Sequence, residues 1–394
     1  MSDSIVLHPI SDTELERRWR LVRAAMRQRD IDVLVVQATQ DWLGGYLKWF
    51  TDHPATNGYP TTLIFPREGS LTLIEQGPMG VSRDLSDDPI HRGVGKKRYT
   101  SSFSSVHYSA TYDAQIVLEE LRLAGYRRVG LVATAQMQYD FCHHLKQSLP
   151  ADAVVDATDL VDDLKAIKSA EEQGLIRAAA HLQDQVIAAV ASWVEPGKRD
   201  FEVAAFAQHV AQDLGSEQGI FLGCSARLGQ PAAFRPRHEK GRTLGRGEHF
   251  SLLVEVSGPG GYYTEIGRIF VLGKSPPFLR AGLESVKEAQ GYLLGLLKPG
   301  AECPQIFAAF NEYMRARGLP EEKRLNAHGQ GYDMVERPLI RDDETMRLAA
   351  DMSIVVHPGI MTPQMFAVVC DNYLIGPEGP GACLHRTPQD IIEL

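Results

Sequence analysis

The sequence predicts an α/β domain followed by an α+β domain whose helices pack on one face of a curved, mostly antiparallel sheet. Three observations lead there. The chain has 394 residues, more than one core of ordinary size accommodates. Over residues 1–160 short apolar runs alternate with amphipathic stretches, the pattern of an α/β unit. Over residues 161–394 long amphipathic helices flank period-2 segments around a glycine-rich turn. Composition is that of a globular chain, 44% hydrophobic and 23% charged, so a sizeable buried core is expected.

Each element has its own signal. Ser11-Asp-Thr-Glu14 reads as a capping box, with Leu15, Trp19, Val22 and Met26 following at helical spacing. Ile31–Val36 is a buried strand, and strand-like runs recur at 61–65, 71–74 and 129–132, with helices around 114–124 and 136–149. Residues 159–168 read as a linker. Ser169-Ala-Glu-Glu172 is a second capping box, opening a helix that Pro196-Gly197 ends, and another helix spans about 201–214. Residues 249–256 and 262–272 alternate around Ser257-Gly-Pro-Gly-Gly261 and predict a β-hairpin. Helices are expected near 277–297 and 304–317, then strands at 352–356, 366–370 and 372–375.

Several functional classes drop out. A net charge of −9 without a long basic run argues against nucleic acid and anionic membranes as partners; the Arg235–Arg246 cluster reads as a solvated loop. No apolar run approaches the length of a membrane span. Met1–Ile10 lacks the pattern of a secretory leader. Five cysteines at irregular spacing give neither a disulfide framework nor a zinc knuckle, and a reducing cytoplasm is expected.

The hairpin carries the candidate chemistry. Glu255 sits in Leu-Leu-Val-Glu-Val and Glu265 in Tyr-Tyr-Thr-Glu-Ile, both in apolar surroundings. A carboxylate there is paired, bound to a metal, or held with a raised pKa; a solvated strand face is the competing explanation. His328 lies in a glycine-rich loop, Asn-Ala-His-Gly-Gln-Gly-Tyr-Asp, and His357 at a strand end that stops at Pro-Gly. Cys370 ends another strand, where a small core residue is the ordinary reading. Asp41–His53 is aromatic-rich and glycine-hinged.

Five stretches in order resemble the creatinase/aminopeptidase P/methionine aminopeptidase superfamily: Leu164-Lys-Ala-Ile-Lys-Ser-Ala-Glu-Glu172, Gly261-Tyr-Tyr-Thr-Glu-Ile-Gly-Arg268, Leu297-Lys-Pro-Gly300, His328-Gly-Gln-Gly-Tyr-Asp-Met-Val-Glu-Arg-Pro338 and Val356-His-Pro-Gly359. The resemblance implies the pita-bread fold for the second domain and places the peptidases' five metal-ligand positions, normally Asp, Asp, His, Glu and Glu, on Glu255, Glu265, His328, His357 and Cys370. A family histidine expected before the hairpin falls near Phe234. Only one of the five residue types is kept, and replacing two carboxylates by imidazole and thiol argues against a dinuclear centre. The sequence therefore leads to a metal-free hydrolase of a non-peptide C–N bond in a small polar solute, resembling creatinase. Glu255 or Glu265 would be base or nucleophile, and His328 and His357 proton donors to the oxyanion or leaving nitrogen. Arg337 would hold a substrate carboxylate, with Cys370, Tyr262, Phe234 and Trp49 as further substrate contacts. No cofactor is expected, one divalent ion on Glu265, His328 and His357 being the variant. A metal-dependent Xaa-Pro-type peptidase with an altered ligand set is the alternative, and a non-catalytic binding protein a second one. The resemblance also implies a homodimer in which Trp49, Phe50 or His53 closes the partner's pocket.

Overall fold

The computed structural model describes residues 7–394, apart from the side chain of Arg237; most of the leader expectation at Met1–Ile10 lies outside them. The chain divides into two compact units, Met1–Lys165 and Ala166–Leu394.

The first unit is an α/β domain. In chain order it contains α1 (Asp12–Gln28), β1 (Val33–Ala38), α2 (Gly45–Thr51), β2 (Thr61–Pro66), β3 (Leu71–Gln76), β4 (Ser82–Asp84), β5 (Val94–Thr100), α3 (Ala110–Ala124), β6 (Val129–Val132), α4 (Tyr139–Ser148), β7 (Val154–Asp156) and α5 (Thr158–Lys165). The sheet order is β4-β5-β3-β2-β1-β6-β7, with β1 parallel to β6 and antiparallel to β2. Ser11 caps α1 by accepting from Glu14 N at 3.1 Å, while the Glu14 carboxylate takes bonds from Arg17 and Arg18. The expected linker at 159–168 is mostly helix α5, whose buried Leu160 and Val161 anchor it.

The aromatic segment proves to be core. Most of it forms α2; Trp49 is 2% exposed, packs edge-on against Phe50, and lies under the Arg18 guanidinium. A residue so enclosed cannot close a partner's pocket, which corrects the role expected of Trp49. Phe50 is likewise buried, and His53 Nε2 is bonded to the Ile90 carbonyl at 2.8 Å.

The second unit contains α6 (Ala170–Trp193), α7 (Asp200–Asp213), β8 (Gly219–Arg227), β9 (Glu248–Ser257), β10 (Tyr263–Val271), α8 (Pro277–Leu296), α9 (Cys303–Ala316), β11 (Ala327–Gly329), β12 (Glu336–Leu339), β13 (Ser353–Val356), β14 (Gly359–Thr362), β15 (Met365–Val368) and β16 (Asp371–Gly376). The Ser169/Glu172 capping box is complete, with both reciprocal bonds formed. Strands β8, β9 and β10 form one antiparallel half-sheet; β12, β11, β13 and β16 form another. On β9 and β10 alternate residues face opposite ways. Leu252, Val254 and Ile266 pack with Leu182 and Val186 of α6. Glu255, Leu253 and Glu265 therefore point away from that helix layer. On the second half-sheet Ile354 and Val356 pack with Leu283 and Val286 of α8. The halves join where Gly267 N donates to the Cys370 carbonyl at 3.1 Å. A Cβ at Gly267 would stand 2.9 Å from Cys370 Sγ, so only glycine allows this approach.

Asp113 of α3 provides a test of the first unit. It is fully buried against Gln37, and burial pushes its carboxyl up to about 7. Gln138 Oε1 nearby has no partner among the described residues, and the hydrogen bonds from Thr100 and Gln37 offset only part of the burial of Asp113. Because the folded pKa is raised, the associated stability is fully present below the unfolded value of 3.8 and is lost as pH climbs through about 7. Asp113→Asn should be more stable than the parent at pH 8, by roughly 4 kcal/mol at most, with the gap shrinking toward pH 5 in thermal unfolding.

Candidate active site

Cross-strand register creates the site. Glu265 of β10 lies directly opposite Glu255 of β9, and the two carboxyls touch. Glu255 is 6% and Glu265 5% exposed, so both are sealed from bulk water. Burial raises both pKa values, and the Glu265 charge raises Glu255 further. Two buried carboxyls in contact resist being ionised together. A chain of amides fixes the arrangement. Glu265 N donates to Asn372 Oδ1 (2.7 Å), Asn372 Nδ2 to Gln330 Oε1 (2.7 Å), and Gln330 Nε2 to Glu255 Oε1 (2.9 Å). Each amide's orientation is set by its neighbour, so Gln330 always presents N–H to Glu255.

The other expected site residues come from the second half-sheet. His328 on β11 and His357, just after β13, have ring centroids 5.2 Å apart. Burial lowers His328 to about 4 and His357 to about 3, so both imidazoles are neutral at pH 7. His328 Nδ1 is 2.9 Å from the Gly329 carbonyl and must carry the hydrogen there, which leaves a lone pair on Nε2. That corrects the proton-donor role expected of His328. The buried His357 Nε2 has no partner among the described residues. Cys370 is 1% exposed and its thiol bonds the Glu265 carboxyl; burial, then the Glu265 charge, holds its pKa well above the usual range. Phe234 stands edge-on to Phe366, centroids 5.1 Å apart, in an apolar patch with Leu253, Val368 and Cys370.

Two expected contacts do not belong. Tyr262 OH donates to Glu172 at 2.7 Å and its ring stacks on Tyr332, so it ties the hairpin to the start of α6. Arg337 is paired with Glu344 and Thr345, which consumes the fork meant for substrate. The cation missed by sequence reading is Arg324. It is exposed, its guanidinium has no partner among the described residues, and its charge bears on Glu255, Glu265, His328 and His357 alike. It ends the run Glu-Glu-Lys-Arg, which looks like an ordinary solvated loop. Gln330 and Asn372 were also missed, because neither carries charge.

Residues 174–377 match metallopeptidase family M24, and residues 18–167 match the creatinase/prolidase N-terminal domain. The chain belongs to metallopeptidase family M24. It is thereby a hydrolase of carbon–nitrogen bonds with the two-domain pita-bread architecture. The Xaa-Pro dipeptidase of Pyrococcus furiosus is 24% identical over 263 residues, 65% of this chain and 73% of that protein. The structure of an Xaa-Pro dipeptidase from Bacillus anthracis superposes with a TM-score of 0.76 at 18% identity, covering 96% of this chain and 100% of that one. The dipeptidase PepE from Mycobacterium ulcerans gives 0.75 at 20%, covering 98% and 99%. These findings overturn the expected metal-free cleavage of a non-peptide bond in a small solute, and the expectation of no cofactor with it. The M24 family is one of metallopeptidases, and curated relatives are Xaa-Pro dipeptidases.

The M24 chain's donors must then be weighed against metal. The buried acids, a His357 Nε2 without a partner among the described residues and a lone pair on His328 are donor types that metals take, but no three of their ligand atoms lie within 4.8 Å of one another among the described residues. The set suits one ion of mixed N, O and S preference; it lacks the extra carboxylates that an oxygen-rich pair of ions requires. Among the described residues, the trio with donor atoms within 4.8 Å of one another lies elsewhere, at Asp371, Cys383 and His385. There Arg268 donates to both Asp371 oxygens and a guanidinium occupies the cation's place. That trio is structural, pinning the C-terminal segment to β16. A cavity of roughly 440 Å3 at the β8 edge, lined in part by Asp200, Cys224 and Arg242, does not include the carboxyl pair. No helix among the described residues is long and apolar enough to cross a membrane. Arg268→Leu should strand the buried Asp371 carboxylate and lower unfolding stability by roughly 3–5 kcal/mol in urea titration.

Proposed function

We propose that this M24 chain is a metal-dependent Xaa-Pro-type dipeptidase with an altered ligand set. The observation that carries the reading is the buried Glu255–Glu265 pair, opposite each other across β9 and β10, in the same unit as the adjacent His328 and His357 rings, with His328 Nδ1 committed to the Gly329 carbonyl. Glu265, His328 and His357 would hold the ion, which when bound polarises a carbonyl. The rest is work for the chain's own side chains. The apolar patch of Leu253, Phe234, Phe366 and Val368 suits an apolar ring such as that of proline. Arg324 takes over the role expected of Arg337 and receives the dipeptide's free carboxylate through paired N–H donors. Glu255, oriented by Gln330 and ionised once a cation beside Glu265 compensates the charge of the pair, removes a proton from the attacking water as oxygen bonds to the scissile carbonyl carbon. It returns that proton to the proline nitrogen as the C–N bond breaks. The products are a free amino acid and proline.

A small-molecule substrate follows from this reading. The homodimer is also proposed; exposed aromatic and apolar residues of the first unit, including Trp42, Leu43, Tyr59 and Tyr108, support it. A reducing, cytoplasmic setting is supported by five free cysteines.

The direct test is turnover of Xaa-Pro dipeptides with and without chelator. Activity that survives removal of all metal, or hydrolysis of no dipeptide by the metal-loaded chain, would end the proposal. Glu255→Gln should cut kcat by roughly 10²–10⁴-fold with KM little changed. Arg324→Ala should raise KM for Ala-Pro by roughly 10–100-fold, as loss of a charged hydrogen bond does. The same variant should leave KM for Ala-Pro-amide unaltered, a contrast that loss of folding would not produce.

A further inference from the structure

The cavity at the β8 edge, apart from the carboxyl pair, holds a charge that nothing around it answers. Its volume of about 440 Å3 suits a small molecule. Asp200, the first residue of α7, belongs to its lining and is 1% exposed. Asp200 Oδ2 accepts the Ser225 N–H at 3.0 Å, while the buried Oδ1 has no hydrogen-bond partner among the described residues. A buried carboxylate oxygen in that state costs free energy until a donor reaches it. The two lining cations differ in how far they are engaged. Arg242 is held by Glu248 and Ser225. Arg235 is exposed and meets Glu239 only at 3.5 Å, which leaves most of its N–H fork for another acceptor. Asp200 and Arg235 both act on the Cys224 thiol, so the two charges stand around one sulfur. Ala226, Pro231 and Pro363 add apolar wall.

We infer that this cavity binds a free α-amino acid with an apolar side chain, its ammonium group on Asp200 and its carboxylate on Arg235. The inference goes beyond the dipeptidase reading and does not depend on it. A simple amine would leave the Arg235 fork unanswered, and a simple acid would meet Asp200 and Glu239 with like charge. A zwitterion brings the opposite charge to each. Pro231 and Pro363 also stand three residues before Phe234 and Phe366, whose rings meet edge-on. The occupant would therefore rest on the two segments that carry the apolar patch.

Equilibrium dialysis of the full-length chain against radiolabelled L-leucine tests this without reference to turnover. The Arg324→Ala chain, which lacks the rim cation of the carboxyl-pair site, should still bind one equivalent. Asp200→Asn and Arg235→Gln, each made in that background, should weaken binding by roughly 10–100-fold. Isoamylamine and 4-methylpentanoate, which are leucine without its carboxylate and without its ammonium group, should each compete at least about 10-fold less well than unlabelled leucine. Should Asp200→Asn not fold, Arg235→Gln and the two analogues decide. No binding of leucine to the Arg324→Ala chain, binding that Arg235→Gln leaves unchanged, or competition by either analogue equal to that of leucine would overturn the inference. Each of these results would leave the dipeptidase reading standing, since that reading is tested by turnover of Xaa-Pro dipeptides.

Discussion

The pairing of Glu255 with Glu265 across β9 and β10 is the constraint on which the rest of the second unit depends. Two acids enclosed in protein cannot both be ionised without a compensating charge. The surroundings answer that demand in steps. The amide relay through Asn372 and Gln330 satisfies one oxygen of Glu255, the Cys370 thiol bonds Glu265, and Arg324 sets a positive charge at the rim. A register slip of one residue would turn both acids into the apolar layer beneath α6 and bring Val254 and Ile266 to the site instead. Burial of Leu252, Val254 and Ile266 on the opposite face is what forbids that slip.

A second constraint holds the half-sheets together. Cys370 and Asp371 are adjacent but face different tasks. Cys370 meets Gly267 and Glu265 on the site side, while Asp371 is locked by Arg268, His385 and Gln389. The buried ion pair thus fixes the strand that carries the thiol. Much of the site's rigidity comes from residues that would never contact a substrate.

The metallopeptidase family and this chain's own donors give a coherent chemistry once the residues are weighed singly. Longer acids, an imidazole and a thiol stand at the positions that the family resemblance assigns to metal ligands. They change the donor types at those positions from hard oxygen toward nitrogen and sulfur. The neutral state of both histidines follows from their burial, and it is also the state in which imidazole binds metal.

Local sequence determined the elements with strong periodicity or caps. The Ser169 capping box, the amphipathic run of α6, the β9–β10 hairpin and the strand at 129–132 follow from side-chain spacing and turn chemistry alone. The four central residues, Glu255, Glu265, His328 and His357, were legible because ionisable groups in apolar or glycine-marked settings are costly unless used. Other features depended on what the folded chain brings close. Strand β8 carries half-buried residues without alternation, and the Asp41–His53 segment became a buried helix because its aromatics found a core. Arg337 and Tyr262 read as site residues until their partners, Glu344 and Glu172, were placed beside them. Arg324 and Gln330 read as loop until the fold set one at the rim and the other against Glu255. Sequence fixes which groups are available. Only the tertiary structure decides which of them are already satisfied, since hydrogen-bond partners 75 or more residues apart, like Gln330 and Glu255, leave no local trace.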